Sequence, residues 1–201
     1  MKKLLFLALA VALFAGLAPT STLAQSTASA APADKTPPSY DLKPQALLDL
    51  EQLHQKFVAL AKEIPADKYT WRPGDGVRSV SELFLHVSSA SYGLAPFFGA
   101  EKETGVDTKT LEKSTTDKDQ VIQRLNQSFD YVHGALEKKS NDDLKKPVKE
   151  FGPDASAGDI VYLIIVDAHE HLGQAITYAR LNGIVPPWTA EAEKKKAAEK
   201  K

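Results

Sequence analysis

The chain has 201 residues and no cysteine, with 25 Lys and Arg against 26 Asp and Glu, a formal net charge of −1. Without cysteine there is no disulfide framework, no thiol nucleophile and no thiolate ligand, so stability must come from packing and any metal must be held by nitrogen and oxygen donors. The near-balanced charge gives no global attraction to nucleic acid and argues against a DNA-binding role.

The N-terminal segment reads as an export signal. Lys2 and Lys3 precede an apolar run from Leu4 to Ala18, and Thr22-Leu23-Ala24 supplies the small residues of a cleavage site, which predicts a signal peptide over 1–24. The run is shorter than the roughly 20 residues needed to span a bilayer, and no later segment is apolar enough to do so. Removal of the two lysines takes the formal charge from −1 to −3. Residues 25–39 are rich in Ser, Thr, Ala and Pro and predict a flexible linker. The expected location is therefore periplasmic or secreted.

Four helical patterns follow in 40–188. The first runs from about Pro44 to Glu63, with Leu47, Leu50, Leu53, Phe57, Leu60 and Ile64 at three- and four-residue steps, and Pro65 ends it. The second opens at Ser79-Val80-Ser81-Glu82, the spacing of a capping box, continues through Leu83, Val87, Ala90 and Leu94, and closes at Gly99. A connection from about Ala100 to Thr116 is long enough to be a crossover. The third helix runs from about Asp117 to Lys138 on the stripe Val121, Leu125, Phe129, Val132 and Leu136. The fourth opens near Ser156 and carries Ile160, Leu163, Ile164, Ala175, Tyr178 and Leu181 before Asn182-Gly183 stops it. Residues 189–201 predict a charged, solvated tail. No segment alternates with a strand period. The fold class expected is all-α, a four-helix bundle with one long crossover.

Polar side chains interrupt two of these apolar faces. His86 is in line with Leu83 and Ala90 on the second helix. Asp167 and His171 lie four residues apart on the fourth, about 40° apart around the axis and one turn along it. A carboxylate and an imidazole facing a core both need partners. Either a divalent cation satisfies them, with His86 as the third ligand, or Asp167 accepts a hydrogen bond from one of the histidines and the core is simply polar there. Gln174 and Tyr178, further along the same face, are candidates for hydrogen bonds to the ligands. His169 lies about 200° from Asp167 and should face elsewhere. His54 reads as a core-edge residue, and His133 and Arg180 as surface. Gly173 leaves room for a neighbouring helix to approach closely. Trp71 and Trp188 are expected to plug the ends of the bundle.

Three stretches carry a family resemblance: Tyr69-Thr70-Trp71-Arg72-Pro73, then Arg78 to His86, then His169-Glu170-His171-Leu172-Gly173-Gln174 followed by Tyr178 to Ile184 and Pro186-Pro187-Trp188. In order and spacing they resemble the DinB-like superfamily over most of 42–188. The resemblance implies a four-helix bundle with a long crossover. It also implies a divalent-metal site with one histidine on the second helix and two, four apart, on the last. Those positions fall here on His86, Asp167 and His171. Aspartate stands where a second histidine of the last helix is expected, so the site either survives as two imidazoles and a carboxylate or has lost its metal. Zinc, nickel and manganese suit the surviving set.

Two classes of function follow. One is a metal-dependent enzyme, a hydrolase first, acting on a small-molecule substrate. Some relatives are thiol-dependent transferases, but an oxidising exported compartment disfavours that version. The other is a non-catalytic binding or stress-associated bundle that holds a small ligand or pairs with itself, with Phe97 and Phe98 as an apolar homodimer face.

Overall fold

The computed structural model describes residues 41–152 and 154–200; the predicted signal peptide and linker, 1–39, lie outside them. Helix α1 spans Leu42–Glu63. Its N-cap is Asp41, whose carboxylate accepts from the Lys43 amide, so the helix starts just before the Pro44 that the sequence suggested. Helix α2 spans Val80–Leu94 behind the expected capping box: the Glu82 amide donates to Ser79 Oγ at 3.3 Å and the Ser79 amide to Glu82 Oε2 at 2.7 Å. A tighter turn over Ala95–Phe98 extends it, and Gly99 ends it at φ 90°, a left-handed conformation that glycine adopts without penalty.

Helix α3 spans Lys118–Glu137, capped by Asp117. A short helix α4, Asn141–Leu144, follows with its own capping box from Ser140 and Asp143. Helix α5 spans Ala157–Leu181 behind the Ser156–Asp159 capping box, and Gly183 turns the chain after it. Helix α6, Pro187–Ala198, runs through most of the stretch expected as a charged, solvated tail. Its residues from Glu191 onward are exposed, and its alanine, glutamate and lysine composition suits an isolated solvated helix as well as a coil.

Helices α1, α3, α2 and α5 pack in that order around the bundle, so α1 and α2 stand diagonally across the core from one another. Two lysines tie the antiparallel α1 and α3 together at both ends. Lys43 Nζ donates to the carbonyls of Glu137 and Lys139 at 2.9 and 2.6 Å. Lys118 Nζ donates to those of Lys62 and Ile64 at 2.6 and 2.8 Å. Each lysine supplies charge and donors to the last turn of its neighbour, where the carbonyls have no helical partner. The core is one apolar cluster centred on Phe57, which packs on Phe84 and Phe129 at 6.2 and 5.6 Å. Buried Tyr69 caps it and donates to the Ala61 carbonyl at 2.7 Å.

The crossover after Gly99 lies against α2. Ser89 Oγ donates to the Thr108 carbonyl at 2.7 Å, Tyr131 Oη to the Glu101 carbonyl at 2.9 Å, and a single tight turn over Leu111–Lys113 buries Leu111. The α1 and α3 stripes pack as expected, except that Leu47 is only half-buried. On α5, Leu163 and Leu181 are exposed: the buried face follows Ile160, Ile164, Ile165, Ala168, His171, Leu172 and Ala175, and each lies to one side of it or past its end. Phe98 is buried, 3% exposed, which removes it from the proposed dimer face and leaves Phe97 packed edge-on to Phe151. Among the described residues no atom lies within 4 Å of the Cβ position of Gly173, so none of the described helices uses the room it leaves. Among the described residues no helix is long and apolar enough to cross a membrane.

Candidate metal centre

The adjacent helices α2 and α5 bring His86, Asp167 and His171 together, with one donor atom from each lying within 4.8 Å of the others. Asp167 and His171 share a face of α5 because they are one turn apart, and the capping box at Ser156 fixes where that turn begins. His86 comes from the middle of α2, and its ring stacks on that of His171 with centroids 4.5 Å apart and planes at 16°.

His171 is 7% exposed, and among the described residues neither Nδ1 nor Nε2 has a hydrogen-bond partner. Burial lowers its pKa; the Asp167 carboxylate works against that shift, while His86 and Arg78 reinforce it. The favoured form is therefore the neutral imidazole, with a lone pair to give.

His86 is held differently. Its Nδ1 lies 3.0 Å from Glu112 Oε2, and Glu112 Oε1 accepts from Arg78 Nε at 2.9 Å. Partial burial raises the Glu112 pKa, but the hydrogen bonds from Arg78 and His86 outweigh it and the net shift is downward. An ionised carboxylate can only accept, so His86 donates to Glu112 through Nδ1, and Nε2 is the ring nitrogen that Glu112 does not engage.

Tyr178 and Gln174 do not reach the ligands. Tyr178 is buried; its Oη donates to the Arg78 carbonyl at 3.1 Å and its ring meets Trp71 edge-on at 5.5 Å. It acts on the segment that carries Arg78, two steps from His86. Gln174 is exposed and lines an open cleft of about 370 Å³ with Gly76, Val77, Arg78, Glu112 and Tyr178. A larger cavity of about 730 Å³, beside the starts of α1, α4 and α5, contains none of these residues.

His169 is exposed, as its angle on the helix required, and so is Arg180. His54 lies at the core edge, stacked on Phe129 at 5.1 Å with Nε2 2.8 Å from Asn126 Oδ1. His133 is half-buried, 3.8 Å from Glu137, rather than fully on the surface. Sequence reasoning missed Arg78 and Glu112 as parts of the site. Arg78 sits one residue before a legible capping box, a position that fixes where its backbone lies. Glu112 lies in a crossover with no periodicity to place it.

Two imidazoles and a carboxylate form a donor set that zinc, nickel and manganese accept. Ligand atoms around a cation at about 2.1 Å stand roughly 3.4 Å apart in tetrahedral geometry, so a separation of up to 4.8 Å requires the side chains to close inward on loading. The orphaned nitrogens of His171 fit that demand, since nothing in the protein has to be broken to release them.

No curated protein matches the sequence significantly. A DinB-like protein from Bacillus subtilis, YjoA, superposes with a TM-score of 0.55 at 18% identity, covering 69% of this chain and 92% of that one. At that identity the likeness speaks for the fold alone. The family model described as the DinB superfamily matches residues 49–175, from the first helix through both α5 candidates, and on that match the chain belongs to the DinB superfamily.

Proposed function

We propose that this protein binds one divalent cation through His86, Asp167 and His171 and acts as an exported metal-dependent hydrolase on a small-molecule substrate. The observation that carries the reading is His171. A buried imidazole with both nitrogens unpartnered, facing a second imidazole and a carboxylate, is costly unless something else satisfies it. A cation held by three protein ligands supplies Lewis acidity and lowers the pKa of water. Glu112 engages His86 at Nδ1, which leaves Nε2 for a cation, and burial favours the neutral form of His171. The cleft lined by Arg78, Glu112 and Gln174 offers a small substrate polar contacts beside the cluster. Support for export rests on Lys2, Lys3, the apolar run and the Thr22-Leu23-Ala24 exit.

Elemental analysis of the mature protein, beside D167A and H171A, tests the site. About one zinc, nickel or manganese per chain is expected in the wild type, with loss in both variants. A wild type that stays metal-free under saturating zinc, nickel and manganese overturns the reading. The loaded protein is then assayed on ester, amide and phosphoester substrates. Turnover abolished by chelation supports the hydrolase. A fully loaded protein that cleaves none of them becomes a non-catalytic binding protein.

A further inference from the structure

We infer that Glu112, delivered by the crossover, is the positioning residue for the His86 ligand: it fixes the ring's tautomer and orientation so that Nε2 is the nitrogen presented to the metal. The inference rests on the metal reading above. The Glu112–His86 contact is not one that helix packing alone requires. Glu112 lies outside the helices of the bundle, in the tight turn Leu111–Lys113. Its two carboxylate oxygens are divided between two partners, Oε1 accepting from Arg78 Nε at 2.9 Å and Oε2 facing His86 Nδ1 at 3.0 Å.

Three anchors hold that carboxylate in place. Leu111, next to it, is buried. Ser89 Oγ ties the preceding stretch to α2 through the Thr108 carbonyl. Arg78 is held in turn at its backbone, where Tyr178 Oη donates to its carbonyl, and its neighbour Ser79 is locked in the capping box of α2. The orienting carboxylate is thus fixed from the crossover, from α2 and from α5. An unconstrained imidazole exchanges its proton between its two nitrogens. A ligand imidazole whose other nitrogen donates to a carboxylate has that choice made for it and becomes a stronger donor. His171 has no such partner, so the two histidines are unequal: one pre-oriented, the other held only by packing.

The test uses the full mature chain with E112A and E112Q. Nitrogen-15 spectra of the histidine rings in metal-free protein read the tautomer directly. The expected result is a single Nδ1–H form of His86 in the wild type, largely kept in E112Q, whose amide oxygen still accepts, and lost to a mixture in E112A. Zinc titration should show affinity about 10- to 100-fold weaker in E112A, with E112Q between the two and one site retained throughout. Circular dichroism controls for folding. An E112A protein with the wild-type tautomer and unchanged zinc affinity overturns the inference, and so does E112A that loses the site altogether, which would make Glu112 a ligand. A wild type that takes up no zinc overturns the metal reading instead, while the tautomer spectra still decide what Glu112 does to His86.

Discussion

His171 is where stability and function pull apart most clearly. Its two ring nitrogens are buried without partners, a situation that costs about 1–3 kcal/mol for a polar group. Leucine fills similar space with nothing to satisfy. H171L should therefore be more stable than the metal-free wild type by about 1 kcal/mol in urea unfolding, while zinc no longer raises its melting temperature. Equal loss of stability with and without metal would show that the imidazole has partners of its own. His86, Asp167 and His171 stood out in the sequence because each interrupts an apolar helical face; spacing left a cation and a plain polar core both open, the family resemblance pointed to ligands, and angle set His169 apart. Gln174 was misread by the same rule. It shares the nominal angle of the buried face, but α5 at that point borders an open cleft instead of another helix. Tyr178 does face inward, yet its hydroxyl serves the Arg78 backbone rather than a ligand.

At the level of elements, the capping boxes locate the site along its helices. Ser79 and Ser156 begin α2 and α5, and the phase of each helix from its cap decides that His86 and the Asp167–His171 pair meet. Replacing Ser156 by alanine removes an N-cap acceptor and should lower stability by about 1 kcal/mol, measured by chemical denaturation. Because the first turn of α5 frays first, amide exchange should rise there before it rises near His171. These helices were readable because caps, apolar stripes and the closing Gly99 and Gly183 all agreed on their limits. The crossover was readable only as a length. Its tight turn, its docking on α2 and its Glu112 depend on contacts with Ser89, Arg78 and His86 that no local pattern encodes. The short α4 was missed for the related reason that four residues are too few to show a period.

Taken as a whole, the bundle is closed at one end by Tyr69, whose hydroxyl is buried and donates to Ala61. Burial, reinforced by the charge of Asp119, raises its pKa well above the ordinary 10.0. A phenol held protonated in the fold but free to ionise when unfolded contributes stability that is fully present below pH 10 and is lost as pH rises beyond it. The wild type should therefore lose stability on alkaline titration above pH 10. Y69F should be less stable at neutral pH, where the bond to Ala61 is missing, yet show a shallower alkaline decline. Parallel curves for the two proteins would place the alkaline loss elsewhere. The Phe97–Phe98 face illustrates the limit of reading whole-molecule surfaces from sequence. Two adjacent aromatics look like one patch, but the tight turn at Ala95–Phe98 sends one into the core and the other outward.

The ring order α1, α3, α2, α5 means that the two helices holding the candidate ligands are neighbours in space although the crossover and α3 intervene along the chain. Residues 101–105 at the start of that crossover are exposed, and a protease would find them accessible. A single cut there leaves His86 on one fragment and Glu112, Asp167 and His171 on the other. Neither fragment would carry all three candidate ligands. Metal retained by a nicked chain would therefore count the halves still docked, and its release under mild denaturant would time their separation.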